Sequence, residues 1–149
     1  MEYGYLLLFL IIPAVILLAE RLGLTQQSPD IGETGRTYVH IEQETAKKMM
    51  EKNDGHVIVD VRREDEYLAG HIPGAILIPN ESIGTKMPEQ LPDLDQVILV
   101  YCRSGVRSKE AATKLAAMGY KKVYEFGGIL SWTGDTVVGM DPWGEQTEG

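Results

Sequence analysis

Short apolar segments alternate with helix-like segments along most of this 149-residue chain, and that alternation limits the folds open to it. Apolar, β-branched runs predict strands, while apolar residues at helical spacing predict helices. Strands are predicted at residues 37–41, 56–61, 75–78, 96–101 and 122–126. Helices are predicted at 42–52, 63–69 and 105–118, with a short additional helix between 79 and 95. Strands that alternate with helices favour a parallel sheet covered on both faces.

Composition divides the chain into four parts. Residues 1–24 are mostly apolar, and residues 25–36, rich in Gln, Ser, Pro, Gly and Thr, are typical of a linker. Residues 37–139 contain the alternating pattern and form the predicted globular domain. Residues 140–149 are predicted to be a flexible acidic tail, with Trp143 as its one docking point.

The first part of the chain is predicted to be a membrane anchor. No residue from Tyr3 to Ala19 is charged, and as a helix this run would span about 26 Å at about 1.5 Å per residue. That length is slightly short of a hydrocarbon core of about 30 Å. A cleaved signal peptide is the alternative, but no lysine or arginine precedes the run and no clear cleavage site follows it. Because Arg21 and Arg36 follow the run, the positive-inside rule favours a cytoplasmic domain over a periplasmic or extracytoplasmic one.

The only cysteine, Cys102, follows the apolar run at 97–101 and precedes a short loop with a glycine and two arginines. A thiol at the end of a strand, facing a helix N-terminus and two guanidinium groups, is expected to be largely thiolate near neutral pH. Ligands of parallel sheets bind at this end of the strands. Cys102 is therefore a candidate nucleophile.

Other features exclude several classes of function. A single cysteine cannot form an internal disulfide or a cysteine-cluster metal site. The three histidines, His40, His56 and His71, have no metal-ligand spacing, so we expect no metal and no other cofactor. The net charge of −8 argues against nonspecific binding of nucleic acid.

Three motifs, taken together and in this order, resemble the rhodanese family of sulfurtransferases over residues 38–138. The first is Asp60-Val61-Arg62, then Glu66-Tyr67 and Gly70-His71-Ile72-Pro73-Gly74-Ala75. The second is the loop Cys102–Ser108, and the third is Gly127-Gly128-Ile129-Leu130-Ser131-Trp132. The resemblance implies a doubly wound α/β domain around a five-stranded parallel sheet.

The resemblance also implies a reaction. Cys102 would attack the outer sulfur of a donor such as thiosulfate, become a persulfide, and pass that sulfur to cyanide or a thiol, a protein thiol included. The family's loop directs backbone N–H groups at the sulfur, an arrangement that also suits any anion. The loop residues assigned to the site are Arg103, Ser104, Gly105, Val106, Arg107 and Ser108.

These residues are expected to play different roles. Arg103 and Arg107 are candidates to bind the sulfonate end of the donor, because guanidinium groups suit forked contacts with oxyanions. Gly105 allows the loop to bend tightly against the sulfur. Ser104 and Ser108 either donate hydrogen bonds to the site or cap the helix. Asp60 and Arg62 are assigned a supporting role, either at the strand end or as an ion pair.

Two alternatives to an enzyme that turns over small sulfur compounds stay open. A persulfide carrier or binding module at the membrane would have the same thiolate. A cysteine phosphatase also has a loop that joins a strand to a helix and ends in arginine. In related phosphatases that arginine is one residue further from the cysteine, whereas here four residues separate Cys102 from Arg107. The shorter loop favours sulfur over phosphate.

Overall fold

The computed structural model describes residues 30–31 and 37–144. The predicted membrane anchor at residues 1–24 and the last five residues of the predicted tail lie outside these ranges. Within the described ranges, no helix is long and apolar enough to cross a membrane.

The predicted strands and helices all form, and most of their ends lie within one or two residues of the predicted ones. The strands are β1 Asp30–Ile31, β2 Thr37–His40, β3 Val57–Asp60, β4 Ala75–Leu77, β5 Val97–Cys102 and β6 Lys122–Gly128. The α-helices are α1 Gln43–Met50, α2 Glu64–Ala69 and α3 Val106–Met118. Two short 3-10 helices lie at Asn80–Ser82 and Ile129–Ser131.

The sheet has the strand order β1-β2-β6-β5-β3-β4. The five strands from β2 to β6 pair in parallel, which confirms the predicted five-stranded parallel sheet. β1 pairs antiparallel with β2, with Asp30 opposite Tyr38, and so adds a sixth strand at the edge. The sequence assigned this segment to the linker, because two residues are too few to show a strand period.

Helices cover both faces of the sheet, and β5 lies between the two layers. Alternate residues of β5 face opposite sides, as they do in any strand. Ile98, Val100 and Cys102 belong to the core cluster that includes the buried face of α3. Leu99 and Tyr101 belong to the cluster that includes Ala46 of α1. The single cysteine is therefore on the α3 side, at the carboxyl end of a central strand.

Residues 137–144 pack against the segment that connects α2 to β4. Val137 forms an isolated bridge with His71. The Gly74 N–H donates to the Pro142 carbonyl at 2.7 Å. Trp143 lies so close to Gly74 that a Cβ there would be 2.8 Å from the ring. Residues 140–144, assigned to the flexible tail, thus make tertiary contacts, and Trp143 lies against Gly74 although its side chain is 71% exposed.

Candidate active site

Cys102 is the last residue of β5, and its side chain is fully buried. The chain turns away directly after it, and α3 begins at Val106. The Gly105 N–H donates to the Cys102 Sγ at 3.0 Å. The sulfur therefore lies in a loop of backbone donors at the start of a helix, an environment that stabilises negative charge.

Hydrogen bonds around the sulfur favour its ionised form. Burial is the largest single influence and acts to raise the pKa of the Cys102 thiol. The Ser108 side chain and the backbone N–H groups of Ser108, Gly105 and Ser104 act in the opposite direction and together outweigh it. The pKa of Cys102 is consequently below its usual value, so more thiolate is present at neutral pH.

Two glycines give the loop its shape. Gly105 has φ +105°, a left-handed conformation that side chains other than that of glycine rarely adopt. Gly128, at the end of β6, lies directly against the loop backbone. A Cβ on Gly128 would overlap the carbonyl of Arg103 and come within 2.6 Å of the Ser104 Cα. Gly128, in the third sequence motif, therefore packs directly against the backbone of the Cys102 loop.

A buried carboxylate lies next to the loop on the β6 side. Glu125 is fully buried, and it accepts a hydrogen bond from the Ser108 hydroxyl at 2.6 Å. It also accepts the Gly127 N–H at 2.7 Å, and its other oxygen lies 2.6 Å from His40 Nδ1. Ser108 thus fixes the first turn of α3 to the end of β6.

Arg107 forms a two-point ion pair that the sequence did not reveal. Its Nη1 and Nη2 donate to the two carboxylate oxygens of Glu66 at 2.6 and 2.8 Å. Glu66 lies on α2, where it also accepts the Arg63 N–H at 3.1 Å. Mainly because of the Arg107 hydrogen bonds, the pKa of Glu66 falls to about 2. The guanidinium assigned to donor binding therefore already holds a carboxylate.

Asp60 and Arg62 form a second, buried ion pair. The Arg62 Nη2 donates to Asp60 Oδ2 at 2.7 Å and to the Gly70 carbonyl at 2.7 Å. The Asp60 side chain is fully buried and that of Arg62 is 6% exposed. The pair connects the end of β3 to the end of α2, and its role in the site stays a prediction.

The remaining loop residues form the rim of the site. Arg103 and Ser104 are exposed, and Val106 is 73% exposed. Leu130 is 66% exposed, and its N–H donates to the Arg103 carbonyl at 3.2 Å. Around the buried sulfur there is thus one exposed arginine and two exposed apolar side chains. Over residues 30–31 and 37–144, no group of three or more His, Cys, Asp or Glu side chains is arranged to hold a metal ion.

The site lies within the part of the chain that matches a known family. The family model of the rhodanese-like domain matches residues 42–135. The chain belongs to the rhodanese-like domain family. The match includes the Cys102 loop together with Asp60, Arg62, Glu66 and Glu125.

Relatives of this rhodanese-like chain include named sulfurtransferases. A thiosulfate sulfurtransferase GlpE of Pseudoalteromonas translucida is 35% identical over 96 residues, covering 64% of this chain and 89% of the relative. A sulfurtransferase of Allochromatium vinosum is 34% identical over 93 residues, covering 62% and 85%. A solved structure described as a rhodanese with anions from E. coli has a TM-score of 0.53 and 32% identity, covering 56% of this chain and 99% of that one.

Sequence reasoning missed two acidic residues of this rhodanese-like site. Glu66 lies inside the first motif but received no role, because nothing local connects it to a residue 41 positions away. The sequence did indicate a buried charge at Glu125, because it is the one charged residue in the otherwise apolar run from Val123 to Phe126. Burial of such a residue requires polar partners, and here the partners include the loop.

Proposed function

We propose that this chain moves a sulfane sulfur from a donor such as thiosulfate to a thiol or cyanide acceptor, through a persulfide on Cys102. The observation that carries the proposal is the buried sulfur that accepts a backbone hydrogen bond at 3.0 Å, beside a helix N-terminus. The lowered pKa of this thiol supplies the nucleophile. Membership of a family with named sulfurtransferases supports the choice of sulfur as the group transferred.

The first half-reaction loads the enzyme. The Cys102 thiolate attacks the outer sulfur of thiosulfate, and a new S–S bond forms to Cys102. The S–S bond of thiosulfate breaks, and sulfite leaves with the electron pair. The enzyme persulfide carries the negative charge, which the loop N–H groups are placed to stabilise.

The second half-reaction returns the enzyme to its starting form. A thiolate or cyanide attacks the outer sulfur of the persulfide, forms a bond to it, and leaves the pair of the broken S–S bond on Cys102. The products are an acceptor persulfide or thiocyanate and the Cys102 thiolate. Since the chain has no second cysteine, only an external acceptor can remove the sulfur.

Mass spectrometry tests loading directly. The full-length chain, incubated with millimolar thiosulfate and desalted, should gain about 32 Da as a persulfide on its single thiol. Adding cyanide should remove the gain and release thiocyanate. The same protein should leave a phosphate ester such as p-nitrophenyl phosphate intact.

Three results would count against the proposed enzyme. An unchanged mass after incubation with both thiosulfate and an organic persulfide would rule out sulfur loading. Rapid hydrolysis of the phosphate ester would instead support a cysteine phosphatase. Loading without multiple turnover on any small acceptor would favour the persulfide carrier.

We further propose that residues 1–24 anchor the rhodanese-like domain to a membrane, with the domain on the cytoplasmic side. The support is the uncharged run from Tyr3 to Ala19 and the arginines that follow it. The full chain should sediment with membranes and withstand alkaline carbonate washing. In sealed spheroplasts the domain should resist added protease, whereas digestion would place it outside the cytoplasm and recovery in the soluble fraction would remove the anchor.

A further inference from the structure

The two arginines of the loop differ in what surrounds them. Arg103 is exposed, and among the residues that the structure describes no carboxylate lies within ion-pair distance of it. Arg107 donates from two nitrogens to both oxygens of Glu66. A two-point contact of this kind uses the same face of the guanidinium that would hold a sulfonate. Within residues 30–31 and 37–144, Arg103 is therefore the loop arginine without a carboxylate partner, and Arg107 is already paired.

Glu66 is held in place independently of Arg107. It accepts the backbone N–H of Arg63 and completes a capping box at the start of α2. The Arg62 side chain fixes the other end of α2 through the Gly70 carbonyl. The Glu66 side chain is only 14% exposed, so little water competes for it. We therefore expect the Glu66 carboxylate to keep its ion pair with Arg107 when a donor approaches.

Arg107 is within electrostatic reach of the reacting sulfur. Its pKa is raised mainly by the hydrogen bonds to Glu66, and the negative charge of Cys102 acts in the same direction. Any negative charge beside Arg107 therefore also opposes the approach of an anion to Cys102. The Glu66 carboxylate cancels much of the attraction that Arg107 would otherwise exert on a dianionic donor.

The exposed side chains at the rim of the site also favour a donor of low charge over a dianionic one. Val106 and Leu130 are among the most exposed apolar side chains of the described chain, at 73% and 66%. Both belong to the segments that enclose the sulfur, because Val106 follows Gly105 and the Leu130 N–H binds the Arg103 carbonyl. Apolar side chains suit the carbon body of an organic persulfide and offer nothing to a sulfonate.

We propose that Glu66 is a specificity-determining residue that, by occupying Arg107, selects sulfur donors of low net charge over dianionic ones. The inference rests on the proposed sulfur transfer and specifies its donor. An organic persulfide, either R–S–SH or its anion R–S–S⁻, reacts as follows, and any proton on the outer sulfur stays on it. The Cys102 thiolate bonds to the outer sulfur, the S–S bond of the donor breaks, and R–S⁻ leaves with the electron pair.

Two donors of different charge test the proposal on the full-length chain. Thiosulfate carries two negative charges, whereas the persulfide of cysteamine carries an ammonium group that balances its ionised sulfur. Steady-state rates are measured for both donors at a pH where alkylation shows Cys102 to be ionised in every variant. Glu66→Gln should lower KM for thiosulfate roughly fivefold and change KM for cysteamine persulfide less than about twofold. The kcat values should stay similar, and added salt should shrink the difference.

Glu64→Gln is the matched control. Glu64 is on the same helix and exposed, and within the described parts of the chain its side chain makes no hydrogen bond or ion pair. Its replacement removes the same charge without touching Arg107, so the ratio of kcat/KM for the two donors should not change. The double variant Glu66→Gln with Arg107→Gln also removes the guanidinium that Glu66→Gln alone would free. Its KM for thiosulfate should therefore be clearly higher than that of Glu66→Gln alone.

Distinct outcomes separate this inference from the proposed function. If the wild-type chain loads sulfur from both donors but Glu66→Gln leaves their ratio unchanged, or shifts both KM values equally, the selectivity role of Glu66 is wrong. The same holds if the double variant behaves like the single one. If no donor loads the wild-type chain, the proposed function fails. Thiosulfate protection of Cys102 from iodoacetamide would then still test Glu66, with stronger protection expected in Glu66→Gln.

Discussion

Cys102→Ser is expected to eliminate sulfur loading and to reduce thiocyanate formation by about 10³-fold or more, to the level of the uncatalysed reaction. A serine oxygen cannot form the S–S bond, and its hydroxyl is not ionised at neutral pH. The chain has no second thiol that could replace Cys102. The measurements are intact mass after incubation with a donor and the rate of thiocyanate production from cyanide.

The fold should survive this substitution, so the loss can be assigned to chemistry. Serine is close to cysteine in size, and the Gly105 N–H can donate to its oxygen as it does to the sulfur. Circular dichroism should be unchanged, with a loss of unfolding free energy of about 1 kcal/mol from placing a hydroxyl in an apolar cluster. Retention of the 32 Da gain in the serine variant, about one sulfur atom, would show that Cys102 is not the carrier.

Gly128→Ala is expected to have the next largest effect, with activity reduced by about 10²-fold although residue 128 itself donates nothing to the reaction. The added Cβ would overlap the carbonyl of Arg103 and approach the Ser104 Cα to 2.6 Å. These are backbone atoms that no side-chain rotation can move aside. The loop must shift, and its N–H groups then no longer converge on the sulfur. We also expect a loss of about 3 kcal/mol of unfolding free energy, as for other overpacked sites.

Gly84→Ala is the control for Gly128→Ala. A Cβ on Gly84 would have no neighbour within 4 Å, and Gly84 lies outside the cysteine loop. It should match wild type in sulfur loading and in urea denaturation. Full activity of Gly128→Ala, with iodoacetamide alkylation of Cys102 at the wild-type rate, would mean that the loop tolerates displacement.

The interactions that hold the loop explain why the effect of Gly128→Ala should be large. The Cys102 loop is fixed by the end of β6 at Gly128 and by the contact of Ser108 with Glu125 at 2.6 Å. On the opposite side, the Arg107 side chain is paired with the Glu66 side chain of α2. The supports at Gly128 and Glu125 are far from Cys102 in sequence. The position of the sulfur relative to its donors therefore depends mainly on how β6 packs against β5.

Features that depend only on residues close together in the sequence were predictable. The five parallel strands followed from apolar β-branched runs, whose period requires no knowledge of the partner strand. β1 escaped prediction because a two-residue strand is defined only by its pairing with β2. The packing of residues 140–144 escaped for a similar reason, since it depends on Gly74 and on the carbonyl of Leu68, which accepts the Gly139 N–H at 3.0 Å.

For the site, the sequence by itself determined the position of Cys102 and its immediate surroundings. A strand, one cysteine, a glycine turn and a helix in direct succession place Cys102 at a helix N-terminus whatever packs beside it. Tertiary structure alone decided what the charged residues do. Arg107 turned out to face Glu66 on another helix, and Glu125 to face His40 and Ser108 from a neighbouring strand. The physical reason is that a charge interacts through space with whatever residues the fold brings near it. When two such residues are dozens of positions apart, the sequence around neither of them indicates the contact.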